Sequence, residues 1–558
     1  MSADRGSHVK VHEAIAAVLR EQGVDTVFGL VGDANLYMMD AFRREGGRFV
    51  AVANETGALL AAAGHQAISG RTGVASVTHG PGLANTVTSL YETVKHRVPA
   101  VLIAGDTAVT DTDNFQDIDQ RALVVATGAQ FVQARTPEST ADDLRRAFAL
   151  AASGRIPVVF NVPIDFQWID AAFTAREAPA AAVARLAPDP AQIEDALAVI
   201  ASAKRPLVLA GRGAIGARDD ALRLAGRIGA PVATTAQARQ LFAGEPFDLG
   251  IFGGLATPES LAAITESDCL VVLGASLNRW TTENGALTTG RRVVHIDDDA
   301  LALGRHVLPA APVHADAGLA AQAMIDLLDE ADVPRSGFAS EDLRVRLERA
   351  RADAEVVLDD LRTAERRREA DGSRPAGTID IVLAQRLIER TFPRRRTVVM
   401  DAGRQCMTAL GIFTVEHPAH YVHTISFGSI GVGVPYAIGA ALAEPERPTL
   451  LLCGDGGFML GGLTEFHTAV RHGLDLVVVV FNDGSFGAEH IQLVRKGMDP
   501  TISLFDWPDL GQVAESLGGR GVTVRTIAEL EEALASLPDG RTVLLNVMVS
   551  ADEISARG

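Results

Sequence analysis

The chain is poor in cysteine, with three among 558 residues (Cys269, Cys406, Cys453), far apart and in no Cys-x-x-Cys pair. That excludes a disulfide framework or a thiolate zinc site and fits a reducing compartment. Positive charge is also scarce. Lys and Arg total 51 against 70 Asp and Glu, a net of −19, which argues against nucleic acid or an anionic membrane as main partner. No apolar stretch approaches the roughly 20 residues of a membrane span. Met1–Lys10 is polar and lacks the apolar region of a signal peptide, so a cytoplasmic protein is expected. The composition that remains is 47% hydrophobic and 22% charged. It supports a large core divided over several domains of about 150 residues each.

Apolar strand-like runs alternate with Ala-rich helical stretches, the pattern of α/β domains with parallel sheets. Three sets stand out, at 8–170, 191–330 and 376–550. An Ala/Pro-rich segment at 171–190, including Ala178-Pro179-Ala180-Ala181, reads as a linker. The charged stretch Glu341–Arg374 reads as a solvated helical connector. The first and third sets could be one sheet architecture used twice, but their sequences are too dissimilar to show it.

The most informative segment is Gly454-Asp455-Gly456-Gly457-Phe458. It ends the apolar run Leu450-Leu451-Leu452-Cys453 and precedes a helical stretch. A second apolar run, Leu476 to Phe481, then ends in Asn482-Asp483-Gly484. Two strand ends thereby present hard oxygen ligands at one sheet edge, a donor set suited to Mg²⁺. Glycines around Asp455 admit a diphosphate close to the backbone. In the first set, Glu55 follows a strand expected at Phe49–Ala53 and opens an Ala/Gly-rich helix, where a carboxylate complements the helix dipole. Ala61-Ala62-Ala63-Gly64 on that helix permits close helix packing, as expected at a subunit contact. His79 precedes the tight turn Gly80-Pro81-Gly82, with Asn85 beyond it.

Four segments of the first set follow one another in a telling order: Val27-Phe28-Gly29-Leu30-Val31-Gly32-Asp33, Ala53-Asn54-Glu55-Thr56-Gly57-Ala58, Thr78 to Asn85, and Asn114-Phe115-Gln116-Asp117. In order and spacing they resemble the pyrimidine-binding domain of the thiamine-diphosphate (ThDP) enzymes of the acetolactate synthase and 2-oxoacid decarboxylase superfamily. The third set resembles their diphosphate-binding domain, so the resemblance covers nearly the whole chain. It implies an α/β protein of three doubly wound domains with mostly parallel sheets (pyrimidine-binding, central Rossmann-like and diphosphate-binding), with ThDP and Mg²⁺ as cofactors. It further implies that Glu55 hydrogen-bonds the aminopyrimidine of the cofactor and favours its imino form. Gly80, Pro81, Asn85, Ser426, Gly454, Gly456, Gly457, Gly484, Ser485 and Phe486 would line the cofactor. Ile430, within Ser426-Phe427-Gly428-Ser429-Ile430-Gly431, would wedge it into its bent shape. Asp455 is the metal carboxylate on this resemblance. Counting 27 residues on gives Asn482 as its companion. Matching the turn gives Asp483, and one extra residue within Gly461–Glu465 would reconcile the two. Asp483 is preferred and both stay open, with the Gly484 or Ser485 carbonyl as third protein ligand.

Phe115-Gln116 fits the carboligase branch of the family. Gly32-Asp33-Ala34-Asn35-Leu36 and Glu489 resemble the decarboxylase branch. His79 stands where many relatives carry a small residue, which makes it a candidate substrate contact. The expected activity is decarboxylation of a 2-oxo acid with ligation to a second carbonyl. Its candidate catalytic residues are Glu55, Gln116, His79, Asp33 and Glu489. The alternatives are simple decarboxylation, a C–C lyase or hydrolase, and a non-catalytic ThDP or nucleotide-binding protein. In the family the site lies between the first domain of one subunit and the third of another, which implies a homodimer or homotetramer. Gly211-Arg212-Gly213-Ala214-Ile215-Gly216 meets the G-x-G-x-x-G pattern without the acidic residue expected about 20 positions on. FAD in the central domain is therefore an alternative that the motif does not favour.

Overall fold

The structure, a computed structural model, describes residues 7–177, 185–537 and 540–552, without the side chains of 7 and 352–357. Of the expected linker, residues 178–184 lie outside the described residues. Its first residues belong to a strand, because Asp170–Phe173 pairs antiparallel with Ser7–Lys10.

Three six-stranded parallel sheets carry the chain, each flanked by helices. Parallel strands covered on both faces read as continuous apolar runs, and Pro157–Pro163 and Leu476–Asn482 are buried at every position. Numbered in chain order within each sheet, the first and third have strand order 2-1-3-4-6-5 and the central one 3-2-1-4-5-6. The first and third domains are therefore one architecture twice. In such sheets the order reverses between strands 1 and 3, which opens a crevice at their carboxyl ends. These strands are Thr26–Gly29 and Gly73–Val77 in the first sheet, and Thr397–Met400 and Thr449–Gly454 in the third. Asp33, His79 and Gly80 follow the first pair, and Asp401 and Asp455 follow the second.

Helices Glu55–Ser69 and Gly433–Ala443 pack on each other and join these two domains into one core, running from Phe28 and Leu59 to Tyr436 and Phe466. The central domain has core clusters of its own. Glycine makes the joint possible. A Cβ on Gly64 would lie 2.0 Å from the Tyr436 carbonyl oxygen, and one on Gly439 would lie 1.8 Å from that of Ala61. The pairing of 64 with 436 and 61 with 439 makes the helices antiparallel. The small-residue surface expected at a subunit contact is thus used within the chain, since a complementary small-residue face is available on its own third domain.

The charged stretch forms the helix Glu341–Ala370. Its far end is not solvated as expected. Glu365 and Arg374 are 1% and 5% exposed and paired at 2.6 Å, and Glu365 accepts the Asp380 N–H at the start of helix Ile381–Thr391. Docking on the third domain removes that end from water. Among the described residues no helix is long and apolar enough to cross a membrane.

Candidate active site

At the first crevice, Asn54 caps helix Glu55–Ser69 by accepting the Thr56 N–H at 2.8 Å. The half-buried Glu55 opens the helix and its Oε2 accepts from Asn85 Nδ2 at 3.0 Å. Thr56 Oγ1 donates to the Asn85 carbonyl, which ties the two turns together. Gly80 has φ +58°, and a Cβ there would lie 2.2 Å from the Gln116 carbonyl oxygen, so this turn admits only glycine. Its N–H donates to Gln120 Oε1 at 2.9 Å, and Gln120 Nε2 donates to Asn161 Oδ1 at 2.6 Å. His79 is buried, with Nδ1 3.8 Å from the exposed Asp33 carboxylate and no hydrogen-bond partner on Nε2. Thr78 Oγ1 donates to Asp33 at 3.0 Å. Asp33, His79, Gly80, Pro81 and Gln116 thus share one rim, with Glu55 and Asn85 beside it.

At the second crevice, Asp455 is 2% exposed and starts a short helix at the strand end. Burial pushes its carboxyl up to about 7, and the nearby Asp483 carboxylate adds to the rise. Trp507 Nε1 donates to Asp455 Oδ2 at 2.9 Å. Arg404 Nη1 donates to Asp483 Oδ2 at 3.0 Å, and Ser485 Oγ to Asp483 Oδ1 at 2.7 Å. The segment from Pro500 folds over the Gly484–Phe486 turn. Phe486 N–H donates to the Ser503 carbonyl at 2.9 Å, and Phe505 N–H to that of Gly484 at 2.7 Å. Phe505 stacks on Trp507 and meets Phe486 edge-on. A Cβ on Gly456 would lie 2.6 Å from the Phe486 ring, which explains the glycine there. Gly454 packs on Gln405, and Gly457 lies against Ile430 and Asp401. Asp401, pushed up to about 7 by burial, accepts the Gly431 N–H at 3.0 Å and so holds the Ile430 turn.

Three candidate residues stand apart. Asn482 donates to Asn546 Oδ1 at 3.0 Å and accepts the Gly484 N–H at 3.1 Å. Its amide is therefore engaged with its own sheet and turn. Between Asp455 and this turn the helix carries a π turn, Phe458–Gly462, which houses one more residue than an α turn. Ser426 pairs through Oγ with His96 at 2.8 Å and donates its N–H to Glu92 at 3.1 Å, so it braces the loop against the first domain. Glu489 is exposed in the first turn of Gly487–Arg495.

Asp401, Arg404, Gln405 and Trp507 escaped sequence reading. Asp401 could have been found as a lone acid ending an apolar strand, Thr397–Met400, in the same way as Asp455. The others are placed by tertiary contact alone. Two acids and backbone oxygens form the polar edge at Asp455. Among the described residues no group of three or more His, Cys, Asp or Glu is disposed around a metal position. That donor set fits Mg²⁺, which takes one or two carboxylates and completes its shell with phosphate oxygens and water.

The two half-sites lie at opposite ends of two helices that connect their domains. Glu55 is at the start of Glu55–Ser69, whose other end meets the start of Gly433–Ala443, just after Ile430. Asn85 precedes Val87–His96, and Ser426 meets that helix at Glu92 and His96. At 1.5 Å per residue these spans are each about 15 Å. One chain therefore holds Glu55 and Asp455 in two different places.

A strand-end acid pair and a helix-opening glutamate thus stand at matching places on two α/β sheets of like topology. Family models of the thiamine pyrophosphate enzymes match in all three domains: the N-terminal TPP binding domain at 9–123, the central domain at 193–324 and the C-terminal TPP binding domain at 401–547. The chain belongs to the thiamine pyrophosphate enzymes, within the acetolactate synthase superfamily. Relatives include the acetolactate synthase large subunit of Haemophilus influenzae, 26% identical over 97% of this chain and 94% of its own length. Acetolactate synthase isozyme 3 large subunit of Escherichia coli is 26% identical over 97% and 95%. The sulfoacetaldehyde acetyltransferase of Rhodobacter capsulatus is 28% identical over 97% and 94%.

Proposed function

We propose that this enzyme uses ThDP and Mg²⁺ to decarboxylate a 2-oxo acid and ligate the remaining acyl unit to a second carbonyl compound. Its sites would form between two copies of the chain. The observation that carries this reading is the pair of complementary half-sites at matching crevices of two like sheets, set apart within one chain by the helices that join them. Exposed apolar residues around both crevices, including Val31, Phe115, Leu460 and Ile502, give a second copy a surface to cover.

On this reading Asp455 and Asp483 hold Mg²⁺, with the Gly484 or Ser485 carbonyl beside them. Asp483 is preferred to Asn482 because its carboxylate suits Mg²⁺ better than an amide and the π turn supplies the extra residue. Gly454, Gly456 and Gly457 offer backbone to the diphosphate, and Ile430 shapes the space next to Gly457. Glu55, held by Asn85, shares a proton with the aminopyrimidine from the partner copy. When bound, ThDP supplies the electron sink for C–C bond cleavage. Gln116 and His79 flank Gly80 and face the reacting carbonyl. The G-x-G-x-x-G loop has a packing role. A Cβ on Gly211 would lie 2.2 Å from the Gly274 carbonyl oxygen, and Arg212 donates to the His96 carbonyl at 2.8 Å. FAD is accordingly not assigned.

The Asp33–His79 pair supports a second reading, simple decarboxylation, since the pair could deliver a proton in place of the second carbonyl. An NMR time course with pyruvate, ThDP and Mg²⁺ separates the two. An acyloin product supports ligation, and acetaldehyde alone supports decarboxylation.

A further inference from the structure

Glu465 and Glu92 are both fully buried carboxylates outside the site, and the chemistry above uses neither. Glu465, on Leu463–Arg471, is 1% exposed, and its Oε1 accepts the N–H groups of Ala53 and Asn54, each at 3.1 Å. These are the two residues before Glu55. Gly57 makes room for it, since a Cβ there would lie 2.3 Å from the same oxygen. Glu92, on Val87–His96, is 0% exposed and accepts the N–H groups of Ser426 at 3.1 Å and Phe427 at 2.6 Å. These two residues open the loop that ends in Ile430. Each carboxylate thus reaches across from one like domain to grip two consecutive backbone N–H groups at the active-site turn of the other.

Burying an ion costs several kcal/mol unless hydrogen bonds offset it, and burial raises the pKa of both groups. Apolar side chains would fill the same space without that cost. What only a carboxylate or amide oxygen does here is fix the direction of two N–H groups.

We infer that Glu465 and Glu92 are positioning residues, forming reciprocal clamps that set the Glu55 turn and the Ser426–Ile430 loop. The inference rests on the proposed roles of Glu55 and Ile430.

The first test is amide hydrogen exchange on the full-length protein without ThDP or Mg²⁺. In Glu465→Ala, the segment 50–58 should exchange at least about 10-fold faster, while the central strand Pro206–Ala210 is unchanged. Glu465→Gln keeps an acceptor oxygen and should restore most of the protection. Glu92→Ala should act likewise on 424–430, and Glu92→Gln should restore protection there. Unchanged exchange in either Ala variant overturns that clamp.

The second test is kinetic. Glu465→Ala should lower kcat at saturating ThDP by about 10-fold or more, with KM moving less than about 3-fold and Glu465→Gln recovering most of the loss. A kcat within about 2-fold of the parent overturns the positioning role. Gly57→Ala displaces the same carboxylate without removing it, and should show the same loss should Glu465→Ala fail to fold. Glu55→Gln run in parallel separates the two readings. Normal turnover there removes Glu55 from its role, while the exchange data still judge the clamp.

Discussion

The first and third domains share strand order, crevice position and a common core, yet they carry different chemistry. At the crevice of the first stand a half-buried glutamate, a buried histidine and a glycine turn. At that of the third stand two neighbouring carboxylates and a run of glycines. Fold alone does not distinguish them. What differs is the few residues after each strand, where backbone direction is the same and side chains are free to vary. The central domain sharpens the contrast. Its own strand-end glycines, Gly211 and Gly274, pack against each other.

The largest effect should come from the third-domain crevice. Asp455→Ala should weaken Mg²⁺-dependent ThDP binding by more than about 100-fold, measured by calorimetry. Retained tight binding would place the metal elsewhere. Next is the first-domain crevice, where Glu55→Gln should keep ThDP binding and lose about 100-fold or more in kcat. If both substitutions abolished binding equally, the proposed division of labour between the like domains would fail.

The joint between them is the third target. Gly439→Ala places a methyl against the Ala61 carbonyl and should cost about 3 kcal/mol in a denaturant melt. Gly216→Ala in the central domain meets nothing within 4 Å and should be nearly neutral. Equal costs would mean that the glycine contact is not what joins the domains.

The smallest effect concerns pH. His423 lies where the domains meet. Burial, with Arg239 and Arg212 nearby, lowers it from 6.5 to about 4. Below pH 6.5 the unfolded chain takes up this proton and the folded chain resists it. Its contribution is thus present above pH 6.5 and is lost as pH falls toward 4. His423→Asn should reduce the acid loss of stability in that window by about 1–2 kcal/mol, read from melts at pH 7 and pH 4.5. An unchanged acid slope would show that His423 is protonated without cost.

The chain's linear order was enough to identify three parallel α/β domains, because buried parallel strands write themselves as apolar runs. It also placed Asp455 and Glu55, because each directly follows such a run and needs no distant partner to be located. Two expectations gave way on contact with the fold. The small-residue face of Glu55–Ser69 met the chain's own third domain, and the far end of the charged connector was buried.

Asn482 and Asp483 could not be separated by spacing. Adjacent residues at a strand end point opposite ways, and a π turn such as Phe458–Gly462 is a feature of helix geometry that spacing does not reveal. Glu465 and Glu92 were invisible for a related reason. Their partners lie 412 and 334 positions away in the chain, and a buried glutamate on an amphipathic helix looks like any other until the opposing backbone is in place. Local order along the chain determined which residues end each strand. Only packing between domains decided which of those ends face one another, which amide oxygens are already engaged, and which N–H groups a buried carboxylate can reach.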